Sequence, residues 1–240
     1  VGAVMAGQHL IRAAELRSIA SDKEKLVTAV YSFQTKYNAI PGDMKDAQTI
    51  WGAAASCSVA QTTAATCNGN GDGKIDKNNP SGTRGNEGFL LWKHLANAGM
   101  IEGSYTGLHA NTNISCGRSY NAPSGKIPES LWYLEDAGMQ NFGYTWAWNT
   151  FYGNTLQLGM PLPNDDPGGA LLTTQEMFAL DSKIDDGKPG DGILLINRLL
   201  TECVVKADGV TAAGANDGQT AIYKPNSSGI QCYPFFIEVF

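Results

Sequence analysis

One apolar stripe at helical spacing runs along the first forty residues. Its members recur at intervals of seven, four, three and four residues, and they are Ile19, Leu26, Val30, Phe33 and Tyr37. This pattern predicts a helix over residues 4–37 with one buried side. The opposite side is expected to face solvent and carries Ser18, Asp22, Lys25, Ala29 and Ser32. Pro41 cannot continue a helix and disfavours helical geometry in the residue before it, so we expect the helix to end at the turn of residues 40–43.

The first half of this helix has no evident partner in the chain. At about 1.5 Å per residue, a helix of roughly 35 residues is about 50 Å long, which exceeds the width of a small domain. Residues 1–7 are apolar and mostly small, and no charge precedes Arg12. Two interpretations fit: a core helix whose beginning has been trimmed, or the end of a hydrophobic span, for which a membrane requires about 20 apolar residues. We favour the second, and we expect roughly residues 1–18 to be exposed in an isolated monomer.

Short helices follow the long one. Residues 44–51 suggest a helix that ends at Gly52, and residues 53–85 have the composition of a loop. A further helix is expected to begin after the N-cap Asn86, with Glu87 in its first turn, and to end at Gly99 in the left-handed conformation. Residues 173–176 (TTQE) form a capping box, which predicts another short helix.

The strand signals lie in the second half of the chain. Tyr144, Trp146 and Trp148 alternate with other residues at the period of a strand, and residues 155–158 are expected to return as the hairpin partner after a turn at Gly153. Residues 193–196 and 235–240 predict two more strands, whereas residues 131–135 fit either a helix or a strand. The fold class is therefore α+β. A long helix at residues 1–43 packs its second half on a head at residues 44–240, which contains a mostly antiparallel sheet, short helices and long loops.

Composition and cysteine usage indicate a protein outside the cytosol. The net charge is −6 and the basic residues are scattered, which argues against a nucleic-acid-binding surface. None of the five cysteines belongs to a C-x-x-C pair or has a nearby histidine, so a zinc site is not expected. In an oxidising compartment two bridges can form, and we expect Cys203–Cys232 and Cys57–Cys67 because each pair brackets a loop. Cys116 would be the odd thiol, and five free thiols in a cytosolic protein is the alternative.

No catalytic motif is evident, so we expect the protein not to be an enzyme. His9, His94 and His109 lie in different predicted elements, and the nucleophile, metalloprotease and phosphate-binding signatures are missing from the sequence. The acid pairs at 165–166 and 185–186 lie in turns, where aspartate usually serves turn geometry. The aromatic alternation of Tyr144, Trp146 and Trp148 suits either sugar stacking or core packing against the long helix, and we favour the core.

The loop NGNGDGKID at residues 68–76 predicts a calcium site. Calcium prefers oxygen ligands, and a tight loop turns alternate residues inward. Asn68, Asn70 and Asp72 occupy positions one, three and five of such a loop, Lys74 offers its carbonyl at position seven, and Asp76 lies at position nine.

Two departures from that pattern favour the alternative, an ordinary turn without a metal. Position one is asparagine rather than aspartate, and position twelve is Asn79 rather than a bidentate glutamate. Glu87, at the beginning of the next helix, could fold back to supply the last ligand. With few carboxylates, the affinity for calcium should be weak, with a Kd on the order of 10⁻⁴ M.

Four stretches together resemble the type IV pilin family, which includes the pseudopilins of type II secretion. They are YSFQTKYNAIPGD at 31–43, NGNGDGKI at 68–75, the helix and turn of 87–107, and DSKIDDG at 181–187. The resemblance covers residues 1–192, and the last fifty residues share only a cysteine pair with the family.

The resemblance implies a pilin-like fold and assembly into a filament with helices inside and heads outside. It also implies about 20 further apolar residues before Val1, which would hold the precursor in the inner membrane. The family's processed phenylalanine and its glutamate at position five are not in this sequence. In such a filament Val4, Leu10 and Ile11 are expected to contact neighbouring copies.

The sequence is compatible with three functions. The first is a structural subunit of an extracellular pilus or a periplasm-spanning pseudopilus, whose partners are copies of itself or homologous pilins. The second is a minor, tip-located pilin whose head binds a surface, a glycan or DNA. The third, a secreted hydrolase with an amphipathic anchor, fits least well. The sequence does not separate pilus from secretion system.

Overall fold

The computed structural model describes residues 2–57, 61–76, 87–107, 121–140, 148–162, 165–196, 202–227 and 229–240, with side chains described from residue 7 onward except at 139, 140, 165 and 166. The helices are α1 (Gly2–Tyr37), α2 (Ala47–Trp51), α3 (Glu87–Asn97) and α4 (Thr174–Ile184). The strands are β1 (Leu131–Gln140), β2 (Thr150–Leu162), β3 (Asp165–Gly169), β4 (Leu172–Thr173), β5 (Leu194–Leu195), β6 (Val204–Val205), β7 (Ile222–Tyr223), β8 (Ile230–Cys232) and β9 (Phe235–Phe236).

The long helix forms as its apolar stripe predicts. Ile19, Val30 and Phe33 are almost completely buried, and Phe33 stacks in an aromatic group with Trp51 and His94. One residue assigned to the solvated side is misplaced, because Ala29 is 5% exposed. The small side chain of alanine lets the head approach this side of the helix.

The exposed part of α1 is shorter than expected. Within the stretch expected to be exposed, the guanidinium of Arg12 is bonded to Glu176 of α4, and Leu16 packs against the core. Leu10 and Ile11 remain exposed. A polar clamp that joins distant parts of the chain leaves no signal in hydrophobic periodicity, so the expectation for residues 1–18 was too long.

An antiparallel sheet packs beneath the helix, which confirms the α+β class. The strand order is β1-β2-β9-β5, and β3 pairs with another part of β2. Leu131 pairs with Gly159 at one end of the β1–β2 ladder, and Gln140 pairs with Thr150 at the other. The segment that fitted either helix or strand is therefore a strand. Two small sheets, β4-β8 and β6-β7, complete the described ladders.

The hairpin predicted around Gly153 is wrong. β2 runs without interruption from Thr150 to Leu162, and its hairpin partner is β1. Gly153 has a φ of +55° and faces Gly138, with a φ of +60°, where the register shifts. Glycine with positive φ serves a bulge as well as a turn, which is why the signal was misread.

The final strand is also shorter than predicted. Only Phe235 and Phe236 form a ladder, whereas the strand was expected to continue to Phe240. Glu238 has a φ of +48°, which takes the chain out of the extended conformation. The tail still runs beside β2, because the amide of Val239 donates to the carbonyl of Asn154 at 3.0 Å.

The ends of two helices confirm the local predictions. Gly99 has a φ of +70°, its amide donates to Ala96, and the amide of Met100 donates to Leu95. This pattern closes α3 by the left-handed motif. At α4, Thr173 accepts from the amide of Glu176 at 3.2 Å and donates its own amide to the Glu176 carboxylate at 2.9 Å. The expected N-cap Asn86 lies outside the described residues.

Candidate functional site

Asp43 organises the loop for which the sequence predicts calcium. It follows the Pro41 turn that ends α1, and it is 4% exposed. Its carboxylate accepts hydrogen bonds from the amides of Gly71 at 2.5 Å, Asp72 at 3.1 Å and Gly73 at 2.9 Å. Burial raises the pKa of Asp43, and these three amides oppose that rise. The loop is therefore folded around a buried carboxylate.

Glu87 holds the same loop from the other side. One carboxylate oxygen accepts from the amide of Asn70 at 2.8 Å, and the other accepts from the amide of Asp76 at 2.9 Å. The side chain is 3% exposed at the beginning of α3. Burial raises its pKa to about 7, and the nearby carboxylates of Asp43 and Asp76 add to the rise. Glu87 therefore does fold back onto the loop, through two backbone amides.

Three of the predicted ligands come together on the exposed side of the loop. The side-chain amide of Asn70 donates to Asp72 at 3.2 Å and to Asp76 at 2.9 Å. Asp72 also accepts from the amide of Lys74 at 3.0 Å. Carboxylate and amide oxygens of this kind are ligands that calcium accepts. Asn70, Asp72 and Asp76, with Glu87 and Asp43 behind them, are the residues that could hold such an ion.

Asn68 lies apart from this group. Its side-chain oxygen accepts the amide of Gln48 at 2.9 Å, in the first turn of α2. The N-cap residue of α2, Asp46, makes no capping hydrogen bond of its own. Asn68 therefore caps a helix, and it is the carboxylate of Asp43 that accepts the loop amides. The sequence reasoning missed Asp43, because its only signal was a turn directly after the long helix.

A second acidic group lies at the end of α4. Carboxylate oxygens of Asp181, Asp185 and Asp186 lie within 4.8 Å of one another. Asp181 is fully buried and accepts from the hydroxyl of Tyr223 at 2.6 Å, and Asp185 accepts the amide of Leu194 at 3.0 Å. Burial raises the pKa of Asp181 to about 7, with the two neighbouring aspartates contributing. Asp185 and Asp186 thus serve turn geometry, as the sequence indicated.

His94 joins the end of α1 to the first disulfide. Its Nδ1 accepts the amide of Gly42 at 2.9 Å, so Nε2 carries the proton and faces the oxygens of Thr66 and Cys67 at 3.2 Å each. The ring is completely buried, which lowers its pKa to about 4. His94 is therefore a neutral structural group, while His9 is exposed on α1 and His109 lies outside the described residues.

Both predicted disulfides are confirmed. Cys57 bridges Cys67, and Cys203 bridges Cys232, with Cα–Cα distances of 5.8 and 5.5 Å. The second bridge ties the segment before β6 to β8, next to the closing strand. Cys116 lies outside the described residues. The bridges fit an oxidising compartment.

Trp148 serves the core. It is 1% exposed, and its indole nitrogen donates to the carbonyl of Pro189 at 3.1 Å. A side chain added at Gly190 or Gly218 would touch its ring, so the loops of those glycines cover it. Among the described residues, the rings that Phe33 and Tyr37 contact are each other and those of Trp51 and His94, so the expected packing of Trp148 on the long helix is not found. Tyr144 and Trp146 lie outside the described residues. One of the three candidate sugar-stacking rings is thus unable to reach a ligand.

Two large apolar side chains of α1 are exposed directly before Arg12. Leu10 is 73% and Ile11 is 63% exposed, and Gln8 and His9 beside them are exposed as well. The side chain of Val4 is not among those described. Among the helices of the described residues, none combines the length and apolar character needed to cross a membrane.

Comparison with known proteins finds no match to any protein-family model, curated protein or solved structure.

Proposed function

We propose that the protein is a structural subunit of a helical filament, assembled from many copies through the exposed side of α1. The observation that carries this proposal is the exposure of Leu10 and Ile11 directly before Arg12, which is bonded to the head. Two large apolar side chains held out on a rigid helix lose their contact with water only against another molecule. Identical copies are the simplest such partner.

The pilin-like sequence stretches support the same proposal. They imply a precursor held in the inner membrane by a preceding apolar segment, which later enters an extracellular pilus or a periplasm-spanning pseudopilus. The two disulfides suit a pilus or a pseudopilus, because the cell surface and the periplasm are oxidising compartments in which disulfides persist. Among the described residues, the buried carboxylates of Asp43 and Glu87 hold backbone amides in place, whereas Leu10 and Ile11 are exposed on α1, and this exposure supports assembly through the helix.

A matched pair of substitutions on one helix tests the proposal. Leu10→Asp places a charge on the exposed side of α1, so the soluble chain should keep its melting temperature while filaments containing the protein disappear from the cells that make it. Val30→Asp places the same charge at a fully buried position and should unfold the head, because an unpaired buried charge costs several kcal/mol.

Val210→Asp is the control, since Val210 is 83% exposed in a loop of the head. This variant should assemble normally. Filaments that form at wild-type levels with Leu10→Asp would contradict the proposed role of the helix.

A further inference from the structure

The outward side of α1 carries a second repeat, distinct from the buried apolar stripe. We call it the outer stripe, and its eight residues are all exposed: Leu10, Ala14, Arg17, Ser21, Glu24, Thr28, Tyr31 and Thr35. Their spacing alternates between four and three residues, so large side chains recur every seven positions. This is the period at which one helix packs along another. Leu10 is 73% and Tyr31 is 51% exposed, so both ends of the outer stripe offer unpartnered apolar surface.

Two opposite charges lie on the outer stripe one repeat apart. Seven residues correspond to about 10.5 Å along a helix, which is too far for Arg17 and Glu24 of one chain to pair with each other. Among the described residues, Arg17 has no ion-pair or hydrogen-bond partner for its side chain. The Glu24 side chain is 69% exposed, and among the described residues its ion pair is with the adjacent Lys23. The stripe is therefore complementary to a copy of itself that is displaced by one repeat.

We propose that the outer stripes of neighbouring copies pack side by side, parallel and displaced by seven residues, with Arg17 of one copy paired to Glu24 of the next. The inference rests on the proposed filament function. In this register Leu10 lies along the aliphatic stem of Arg17 of the next copy. Ser21 lies beside Thr28 of the next copy, where short side chains let the helices approach closely.

The direction of packing follows from symmetry. An antiparallel pair centred between residues 20 and 21 would also join Arg17 to Glu24, but it uses both charges of both copies and closes as a dimer. A parallel, displaced pair leaves Glu24 unpaired on one copy and Arg17 unpaired on the other. Each can pair with a further copy, so subunits can be added at both ends without limit. Only the second arrangement produces a filament, with the outer stripe facing the filament axis and the heads outside.

A groove in the head lies next to the outer stripe. It has a volume of about 800 Å³ and is bordered on α1 by Glu24 and Thr28. The facing wall includes Ile101, Glu102 and Lys126, which offer both apolar surface and charge. The flank of a neighbouring helix laid along the outer stripe would occupy this space.

Cysteine cross-linking tests the register. Ser21→Cys and Thr28→Cys are introduced singly and together in a Cys116→Ser background, and oxidation is carried out on filaments already shown to contain the protein. The double variant should give a ladder of covalent dimers, trimers and longer products, while each single variant should remain monomeric on denaturing gels. A covalent dimer from Ser21→Cys alone would establish antiparallel packing and overturn the proposal. Covalent dimers from both single variants would show that the parallel helices are not displaced, which would also overturn it.

Charge reversal tests the ion pair in the same assay. Arg17→Glu in the double-cysteine protein should reduce the ladder by about tenfold or more. The exchange Arg17→Glu with Glu24→Arg should restore it. Lys183→Glu, an exposed charge change on α4, is the control and should leave the ladder intact. Filaments that contain the protein but give no ladder overturn this inference alone, whereas absence of the protein from filaments overturns the proposed function as well.

Discussion

Arg12 of α1 and Glu176 of α4 are joined by two hydrogen bonds of 2.6 and 2.9 Å, although 164 residues separate them in the sequence. Arg12 also donates to the carbonyl of Leu171 at 2.9 Å. Glu176 is at the same time a member of the capping box that begins α4. This clamp ties the amino-terminal part of the long helix to the head, directly after the exposed residues Leu10 and Ile11.

Replacement of Arg12 by alanine should lower the free energy of unfolding by about 1 kcal/mol, because both side chains are partly exposed. The bond to Arg12 is the main cause that lowers the pKa of Glu176. Its stabilising effect is therefore full above the ordinary pKa of glutamate and is lost as the pH falls through the lowered value. Denaturant unfolding at pH 7 and pH 3 measures the difference.

Arg17→Ala provides the control for this clamp, since it removes the same side chain from an exposed position of the same helix. It should leave the stability of the soluble chain unchanged. Equal destabilisation by the two substitutions would show that the clamp contributes nothing specific.

The stability of the head should decrease as the pH falls from about 6.5 to 4 through the burial of His94. The folded protein holds the ring neutral with a pKa of about 4, whereas the unfolded chain takes up a proton near 6.5. This difference corresponds to on the order of 3 kcal/mol lost at pH 4 relative to pH 7. His94→Asn, which keeps an acceptor for Gly42, should be less stable at pH 7 but should show a flatter pH dependence.

The His94 variant must be compared with wild type at each pH, because the raised pKa of Asp181 acts in the opposite direction. If the free energy of unfolding changed equally with pH in wild type and variant between pH 4 and 6.5, His94 would not be the cause of the pH dependence.

Asp181→Asn should stabilise the head at pH 8. The pKa of Asp181 is raised to about 7 chiefly by burial, so the folded state favours the protonated form. That contribution is full below the ordinary pKa of aspartate and is lost as the pH rises through 7. Asparagine keeps an acceptor for Tyr223 without the charge. Thermal unfolding at pH 5 and pH 8 should show the gain at pH 8, with Glu102→Gln at an exposed position as the unchanged control.

Calcium binding by the loop of residues 68–76 stays a prediction, and calorimetry of the soluble chain decides it. We expect heat and a rise in melting temperature at millimolar calcium, with a Kd on the order of 10⁻⁴ M. Asp72→Ala should abolish both effects, because Asp72 lies in the exposed acidic part of the loop. Asn68→Ala should instead weaken α2 and spare calcium binding, since Asn68 is bonded to Gln48. No calcium-dependent heat in the wild-type chain would identify the loop as an ordinary turn.

The features that could be predicted from sequence are those encoded locally. Three examples are the apolar stripe with Val30 and Phe33, the capping box at Thr173 and the left-handed end of α3 at Gly99. Each depends on residues within one or two helical turns, so the local sequence is sufficient to predict it. The cysteine pairs could be predicted because each brackets a loop.

The missed features depend on residues that are distant in sequence. Asp43 reaches the loop amides across about 28 positions, and Arg12 reaches Glu176 across 164, so no periodicity reports either contact. Gly153 was misread because a glycine with positive φ serves bulges as well as turns. Burial and long-range pairing, rather than local propensity, decided these cases.

Immunogold labelling of sheared surface filaments and periplasmic filaments, with antibodies against the head, tests whether the protein is a filament subunit. If it is, gold should lie along the whole length of the filaments at regular density, and these filaments should be lost in cells that produce the Leu10→Asp variant. Gold confined to filament tips would instead identify a minor subunit. Protein found only as monomer, with filaments unlabelled throughout, would contradict a role in filament assembly.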